Sequence, residues 1–244
     1  AFLPHEFERF GVSLDDSRER FTEGVAQVKL LLERENVSHT GKYHSFKNLT
    51  SLPRPTQRPR PPFWVAAIGT PQSFAEAGRN GYGIMAIPLD AGRMTELLGT
   101  YREAWRSAGH PGKGVVMNSF FMCCAPTRAE AVDAFREPTD NHLKGLVAAA
   151  SGWLSGASTK DYPGYDKMIE QIRKENFDQQ VAKGFAWVGT PADIYDAMMT
   201  YHRAVGGFEI ASLHVNPANT EIEAAERSVR MFAEHVMPRA SGAA

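Results

Sequence analysis

The sequence predicts an α/β fold in which short parallel strands alternate with helices. Four apolar runs, at 63–68, 83–88, 115–124 and 209–215, have the length and composition of strands that are buried on both faces. Helical patterns follow them at 72–79, 92–108, 127–150 and 221–236, and a further helix runs from Pro191 to about Ala204. Strands and helices that alternate in this way build parallel βαβ units.

The residues before these units begin with a long helix, which we place at 13–35. Its apolar residues recur at spacings of three and four, which predicts one stripe facing a core; they are Phe21, Val25, Val28 and Leu32. Ser13 and Asp16 have the spacing of a capping box at its start.

Three irregular stretches separate or interrupt the regular elements. Residues 37–52 are typical of a hairpin that turns at Gly41. Residues 53–62 contain five of the 15 prolines and are therefore expected to form an extended connector. Residues 151–183 break the alternation and are interpreted as an insertion. No change of composition marks a second domain, so we expect one domain over 1–244.

Composition and charge exclude several classes of protein. The 27 basic and 28 acidic residues leave a net charge of -1, so no one-signed surface suits nucleic acid or an anionic membrane. The longest apolar runs fall far short of the roughly 20 residues that span a bilayer. The two cysteines, Cys123 and Cys124, are neighbours, which excludes a disulfide framework and favours a cytoplasmic location.

The eight histidines show no metal-binding spacing, and each is expected to be structural. Among them, His214 lies within the last predicted strand and is the one most expected to point into a barrel or cleft. Hydrolase, P-loop and dinucleotide-binding motifs are absent from the sequence.

The turn Gly69-Thr70-Pro71 carries the chain from an apolar strand to the start of a helix. Unpaired N–H groups and a partial positive charge make such a start suitable for a phosphate, with hydroxyl donors from Thr70 and Ser73. A plain cap, with Thr at the N-cap and Pro after it, is the alternative interpretation. Because Gly189-Thr190-Pro191 repeats the tripeptide, the tripeptide alone has little specificity.

Arg18 lies in the first turn of the first long helix, where a cation opposes the helix dipole unless an anion lies nearby. It is therefore a candidate anion ligand. The alternative is a solvated arginine that pairs with Asp15 or Glu19.

Five blocks of sequence, taken in order, resemble the bacterial luciferase-like flavin monooxygenases. They are residues 5–12 (HEFERFGV), 17–23 (SRERFTE), 41–43 (GKY), 53–67 (the proline-rich connector with FWVAA) and 189–193 (GTPAD). The resemblance covers nearly the whole chain and is weakest from 92 to 183. It implies a (β/α)8 barrel of the TIM type that binds flavin at the carboxyl ends of its strands.

The resemblance also assigns residues to the flavin site. Arg18 and the loop 68–73 would hold the phosphate, Ala66 and Ala67 with Ile87 and Pro88 would lie towards the flavin ring, and Phe2 and Leu3 would skirt it. The cofactor-binding residues expected are Arg18, Ala66, Ala67, Ile68, Gly69, Thr70, Ser73, Ile87 and Pro88. Ile68 stands where the family commonly has a hydroxyl residue, so the loop would depend on its N–H groups and Thr70.

Against the family pattern, about four βα units are missing before residue 5, including a catalytic histidine and a phosphate-binding arginine. Only strands five to eight of a barrel are thus expected here, and no catalytic residue is assigned. An open half barrel would leave edge strands and an apolar face uncovered. We therefore expect either a fragment or a partner copy that completes the fold.

The function implied is that of a monooxygenase using reduced FMN and O2 on a small organic substrate, with FMNH2 supplied by a separate reductase. A homodimer is expected, and no metal, nucleic acid or membrane. Two alternatives stay open: an F420-dependent oxidoreductase that transfers hydride, and a non-catalytic flavoprotein or partner subunit.

Overall fold

A computed structural model describes residues 3–156, 162 and 164–241, and its residues group into two compact units. The first unit comprises residues 1–62 and 146–173, and the second comprises 63–145 and 174–244. The expectation of one domain over 1–244 stays a prediction.

The first unit contains helices and one antiparallel hairpin. Its elements are α1 (Pro4–Arg9), α2 (Ser17–Glu33), β1 (Val37–Thr40), β2 (Ser45–Leu49) and α6 (Tyr165–Ile172), with 3-10 turns at Leu14–Asp16 and Ser151–Trp153. The pairing of Thr40 with Ser45 places the hairpin turn at 41–44, as the sequence predicts. Residues 53–62 form neither helix nor strand.

Two predictions about α2 are wrong. The Oγ of Ser13 accepts the N–H of Asp15 and caps the 3-10 turn, so α2 begins only at Ser17. The apolar stripe does not face a core, because Phe21 is 54% and Val28 49% exposed.

The hairpin explains why the stripe stays at the surface. It packs against the polar face of α2, where Gln27 is the buried residue of the helix. The Nε2 of Gln27 donates to Glu23 and to the His44 carbonyl. Hydrogen bonding to the hairpin backbone, not apolar periodicity, therefore decides which face of α2 is covered.

The second unit is built on a parallel sheet with helices. Its elements are β3 (Trp64–Ala66), α3 (Pro71–Arg79), β4 (Gly83–Ala86), α4 (Ala91–Ser107), β5 (Val116–Cys124), α5 (Arg128–Ala149, whose last turn belongs to the first unit), α7 (Phe177–Ala182), β6 (Ala186–Gly189), α8 (Pro191–Ala204), β7 (Ile210–His214), α9 (Ile222–His235) and α10 (Met237–Ser241). The predicted α/β fold with a parallel sheet is confirmed. Strand β6 is a fifth parallel strand that the sequence analysis missed.

Strand β5 is the centre of the sheet. It pairs in parallel with β4 through Val116–Asn118, with β6 through Phe121–Cys124 and with β7 through Met117–Phe121, while β3 pairs with β4. Among the described residues, β3, β6 and β7 therefore have one strand partner each, and the sheet is open. It is not a closed barrel.

The two faces of β5 differ in burial. Val116, Phe120 and Met122 are buried, and Phe120 packs on Trp187 and Tyr201. Met117 and Phe121, which alternate with them, are only partly buried. The first set belongs to the hydrophobic core. The second face is only partly open, because Phe121 also packs on a buried cluster that includes Cys123.

No helix within the described residues is long and apolar enough to cross a bilayer. Among those same residues, no cluster of three or more histidine, cysteine or acidic side chains is placed to ligate a metal ion.

Candidate anion site at the start of α3

The turn after β3 brings the predicted phosphate loop to the carboxyl edge of the sheet. Ala66 ends β3 with its side chain exposed, whereas Ala67 is buried and its N–H donates to the Met85 carbonyl. Ile68 and Gly69 follow, and α3 begins at Pro71 with Thr70 as its N-cap. The predicted strand 63–68 is thus shorter by two residues at its end, which places Ala67 and Ile68 in the loop.

Hydrogen-bond donors at this helix start are left unused within the described residues. The Thr70 side chain makes no capping hydrogen bond. The N–H groups of Ser73 and Phe74 donate to the Thr70 carbonyl, but those of Gly69, Thr70 and Gln72 donate to no described residue. Such donors, with the positive end of the helix dipole, favour binding of an anion.

The second Gly-Thr-Pro turn, at the start of α8, is closed by its own carboxylate. The Oδ2 of Asp193 accepts the N–H of Thr190 at 2.9 Å and its hydroxyl at 2.8 Å, and the N–H of Asp193 donates to the Thr190 Oγ1. The N–H of Thr190, followed by the guanidinium of Arg128, lowers the pKa of Asp193. This turn therefore has its anion already, and the corresponding position in the first turn is Ser73.

The glycines of the two turns also differ, in how much space surrounds each of them. Gly189 has a φ of +148°, and a Cβ there would lie 2.6 Å from the Asp193 carboxylate, so the fold itself requires glycine. A Cβ on Gly69 would meet only the Leu89 Cδ1, at 3.6 Å, which is ordinary contact. Packing within the chain therefore does not demand glycine at position 69.

The second segment predicted for the flavin site, Ile87-Pro88, follows β4. It is held in place through the next residue, Leu89. Ile87 is 42% exposed. The hydroxyl of Tyr201 on α8 donates to the Leu89 carbonyl at 2.8 Å and accepts the Leu89 N–H at 3.1 Å. Burial raises the pKa of Tyr201, which keeps this hydroxyl protonated.

Arg93 contacts the first turn directly and was missed by sequence reasoning. Its Nη2 donates to the Gly69 carbonyl at 3.0 Å, and its Nη1 pairs with Glu96. The signal that singled out Arg18 was available here too, because Arg93 is a cation in the first turn of α4. Tyr201 had no comparable signal, since its contact spans 112 positions.

Arg18 belongs to the first unit, whereas the other eight predicted residues belong to the second. It follows Ser17, whose Oγ accepts the hydroxyl of Tyr162, and its charge acts on Tyr165. Leu3 packs on the cluster around Trp153. Phe2 lies outside the described residues. The assignment of Arg18 to a flavin phosphate stays a prediction.

Two further features occupy the far end of β7. The imidazoles of His142 and His214 meet edge to face at 4.8 Å, and Phe121 stacks on His214. An open depression of about 510 Å³ follows the strand and is bordered by Val215, Ile222 and Val229. None of the residues predicted for the flavin site lines that depression.

A parallel sheet whose strands alternate with helices places this chain in the α/β class, and the open start of α3 lies at the carboxyl edge of that sheet. The chain belongs to the luciferase-like monooxygenase family, whose sequence model matches residues 2–206. The resemblance found in the sequence is therefore confirmed.

Relatives with stated activities are similar over part of their length. The oxygenase component of the flavin-dependent trigonelline monooxygenase from Acinetobacter baylyi is 33% identical over 103 residues, covering 41% of this chain and 28% of that protein. The structure of monooxygenase RslO1 from Streptomyces bottropensis is 33% identical with a TM-score of 0.82, covering 98% of this chain and 66% of that one.

More distant structures share the fold. They include the oxygenating constituent of 3,6-diketocamphane monooxygenase from Pseudomonas putida in complex with FMN (18% identity, TM-score 0.68, 91% of this chain and 63% of that one). An F420-dependent secondary alcohol dehydrogenase is another, with 16% identity and a TM-score of 0.64, covering 93% of this chain and 62% of that one. The match thus covers 28% of the trigonelline monooxygenase component and less than two thirds of each of the three solved structures.

Proposed function

We propose that this chain forms the phosphate-binding part of a flavin-dependent monooxygenase that oxygenates a small organic substrate. The observation that supports this most is the contrast between two like turns: the one at Thr190 is closed by Asp193, and the one at Thr70 is open. Reduced FMN, when bound, supplies the electrons with which O2 is activated.

The residues of the second unit have distinct parts in this proposal. The N–H groups of Gly69 and Thr70 and the hydroxyls of Thr70 and Ser73 bind the phosphate. Ala66 and Ile87, both exposed at strand ends, form an apolar wall that keeps water from the ring. Ala67, Ile68 and Pro88 shape the backbone between these contacts.

The sheet is proposed to be part of a (β/α)8 barrel. Its strands are parallel, and β3, β6 and β7 each pair with only one strand within the described residues. RslO1 accommodates 98% of this chain in about two thirds of its own length. A reductase that supplies FMNH2 is proposed because the trigonelline relative is named an oxygenase component.

The decisive experiment titrates the full chain with FMN and with riboflavin, which lacks the phosphate. We expect FMN to bind at least about tenfold more tightly. The substitution Ser73→Asp copies the closed turn of α8, because its carboxylate would accept the Thr70 N–H, and we expect it to remove the preference for FMN. Ala192→Asp is the matched control, since it adds the same charge to the exposed first turn of α8.

Equal affinity for FMN and riboflavin, or no effect of Ser73→Asp, would refute the phosphate site. Oxygen uptake and product formation with FMNH2 and a substrate panel then test the reaction. Hydride transfer with reduced F420 would support the F420 alternative, and flavin binding with no turnover would support the non-catalytic alternative.

A further inference from the structure

Five side chains on β5, β7 and α5 form a patch that the phosphate site does not use. They are Ser119, Phe121, His142, Ser212 and His214, and we refer to them as the imidazole patch. The register pairs Ser119 with Ser212 and Phe121 with His214, so two matched pairs follow one another on the partly open face of the sheet. His142 joins them from α5.

The rings of the patch touch one another. Phe121 lies 5.2 Å from His214 at an interplanar angle of 23°, and it meets His142 edge to face at 5.3 Å. The two imidazoles are 4.8 Å apart at 84°. Aromatic rings held in such stacked and edge-to-face contacts favour a further planar ring beside them.

The polar atoms of the patch have no partner in the part of the chain that the structure describes. No hydrogen bond or ion pair joins either imidazole, or either serine hydroxyl, to a described residue. All four side chains are partly or largely accessible. Hydroxyls and imidazoles in this state offer hydrogen bonds to a ligand that approaches the open face.

The surroundings of the two imidazoles disfavour their charged form. Burial lowers the pKa of His142, and burial together with the charge of His142 lowers that of His214. The other titratable groups nearest along these elements are Cys123 on β5 and Asp140 and Lys144 on α5. None of them acts on either imidazole, and Asp140 accepts the N–H of Phe177 instead. An anion placed at the patch would therefore stabilise an imidazolium that the protein alone disfavours.

We infer that the imidazole patch binds a planar aromatic acid, whose ring packs on Phe121 and His214 and whose carboxylate accepts hydrogen bonds from the imidazoles and serines. That this ligand is the substrate rests on the proposed function. His214 ends β7, and because the strands are parallel, that end of β7 is on the same edge of the sheet as the open start of α3.

The test titrates the full chain with benzoate, benzamide and cyclohexanecarboxylate by calorimetry at several pH values. We expect benzoate to bind at least about tenfold more tightly than the other two probes, since benzamide lacks the charge and cyclohexanecarboxylate the planar ring. Benzoate affinity should fall as pH rises, by up to tenfold per pH unit between the pKa of the free imidazole and the raised pKa of the liganded one. Titrations in two buffers of different ionisation enthalpy should show proton uptake on binding, and the histidine NMR signals should report a raised pKa.

The variants His142→Gln and His214→Gln keep a polar side chain but cannot take up the proton. We expect each to weaken benzoate at least tenfold and to abolish proton uptake, with FMN affinity unchanged. Ser73→Asp should have the opposite effect: it should weaken FMN binding and leave benzoate affinity unchanged. The proposal for the phosphate site and the proposal for the imidazole patch can therefore be refuted separately. Benzoate that binds no better than benzamide, binds without proton uptake, or is indifferent to both histidine variants would overturn the inference. The proton-uptake measurement uses the unaltered protein and stands whether or not the variants fold.

Discussion

At the scale of single residues, the second side chain after Gly-Thr-Pro decides what a helix start can do. Asp193 folds back on Thr190 and fills the start of α8 with a carboxylate. Ser73 makes no such contact, so the start of α3 keeps its donors. One tripeptide thus serves as a closed cap in one place and as a candidate anion site in another, and the difference is readable from the residue type.

Tyr201 is predicted to position the loop that follows β4. Tyr201→Phe removes the only described partner of both the N–H and the carbonyl of Leu89, which should cost about 1–2 kcal/mol in the free energy of unfolding. Because Leu89 also lies against Gly69, FMN affinity should fall several-fold. Urea denaturation and flavin titration measure the two effects.

Tyr195 provides the control for that prediction. It lies on the same helix, its ring packs under the Arg239 guanidinium, and its hydroxyl makes no hydrogen bond within the described residues. Tyr195→Phe should leave both stability and FMN affinity within error of the unaltered chain. A loss of FMN affinity in Tyr195→Phe equal to that in Tyr201→Phe would argue against a specific role for the Leu89 contact.

Glu23 is predicted to make the hairpin unit sensitive to acid. Desolvation alone would raise its pKa, but the N–H groups of His44, Tyr43 and Lys42, with Gln27, lower it below the ordinary value of 4.5. A carboxyl with a depressed pKa contributes stability above its unfolded pKa, and that contribution is lost as pH falls through the folded pKa. The stability difference between the unaltered chain and Glu23→Gln should therefore shrink as pH falls from 6 to 3.

Urea denaturation at several pH values measures this difference. Glu8→Gln is the control, because Glu8 is exposed in α1 and its carboxylate contacts no described residue. A gap between Glu23→Gln and the unaltered chain that stays constant over the whole pH range would contradict the assigned role of the three N–H groups.

At the scale of elements, the proline-rich connector at 53–62 caps the end of α2, although the hairpin separates the two in the sequence. Arg54 donates from Nη1 and Nη2 to the carbonyls of Leu31 and Leu32, and Arg60 pairs with Glu33 at 2.8 Å. The last carbonyls of a helix lack partners within the helix, and a cation there is also favoured by the helix dipole. The connector thus supplies the cap that the sequence of α2 does not.

Arg54→Met is predicted to destabilise the end of α2 by about 1–2 kcal/mol, because two carbonyls lose a charged donor while the apolar stem is kept. Hydrogen exchange should show faster exchange of amides in the last turn of α2. Arg58→Met serves for comparison, since Arg58 is exposed and its side chain donates to the nearby Pro55 carbonyl alone among the described residues. Equal effects of the two substitutions would show that the contacts to Leu31 and Leu32 contribute nothing.

The alternation of strands and helices was predictable because buried parallel strands are continuous apolar runs. Periodicity failed where hydrogen bonds to distant residues decide the outcome, as in α2, whose buried face is set by the contact of Gln27 with the hairpin. It also failed for β6, because the four residues of this strand could not be distinguished in the sequence from the end of the segment before them. Only their pairing with β5 identifies them as a strand. Within the candidate site, the turn at Gly69 was visible in the sequence, whereas the partners Arg93 and Tyr201 come from other elements.

At the scale of the whole molecule, the second unit exposes apolar side chains along one side. Ile210 on the outer strand β7 is 37% exposed, and Ile222 and Val229 on α9 are 74% and 45% exposed. The two α9 residues also border the open depression after β7. A strand with a free edge beside apolar side chains is a surface that another chain can cover.

The chain of 244 residues is therefore predicted to self-associate through this side. Sedimentation at increasing concentration should show species heavier than the 26.9 kDa of one copy. Replacing Ile222 and Val229 together by Lys should shift the association to at least about tenfold higher concentration, because two charges would have to be desolvated in the interface. Ser107→Lys, at an exposed position near the end of α4, is the matched control for added charge. A single species of one copy's mass at every concentration would refute the homodimer expected from the sequence, and association unaffected by the double substitution would place the interface elsewhere.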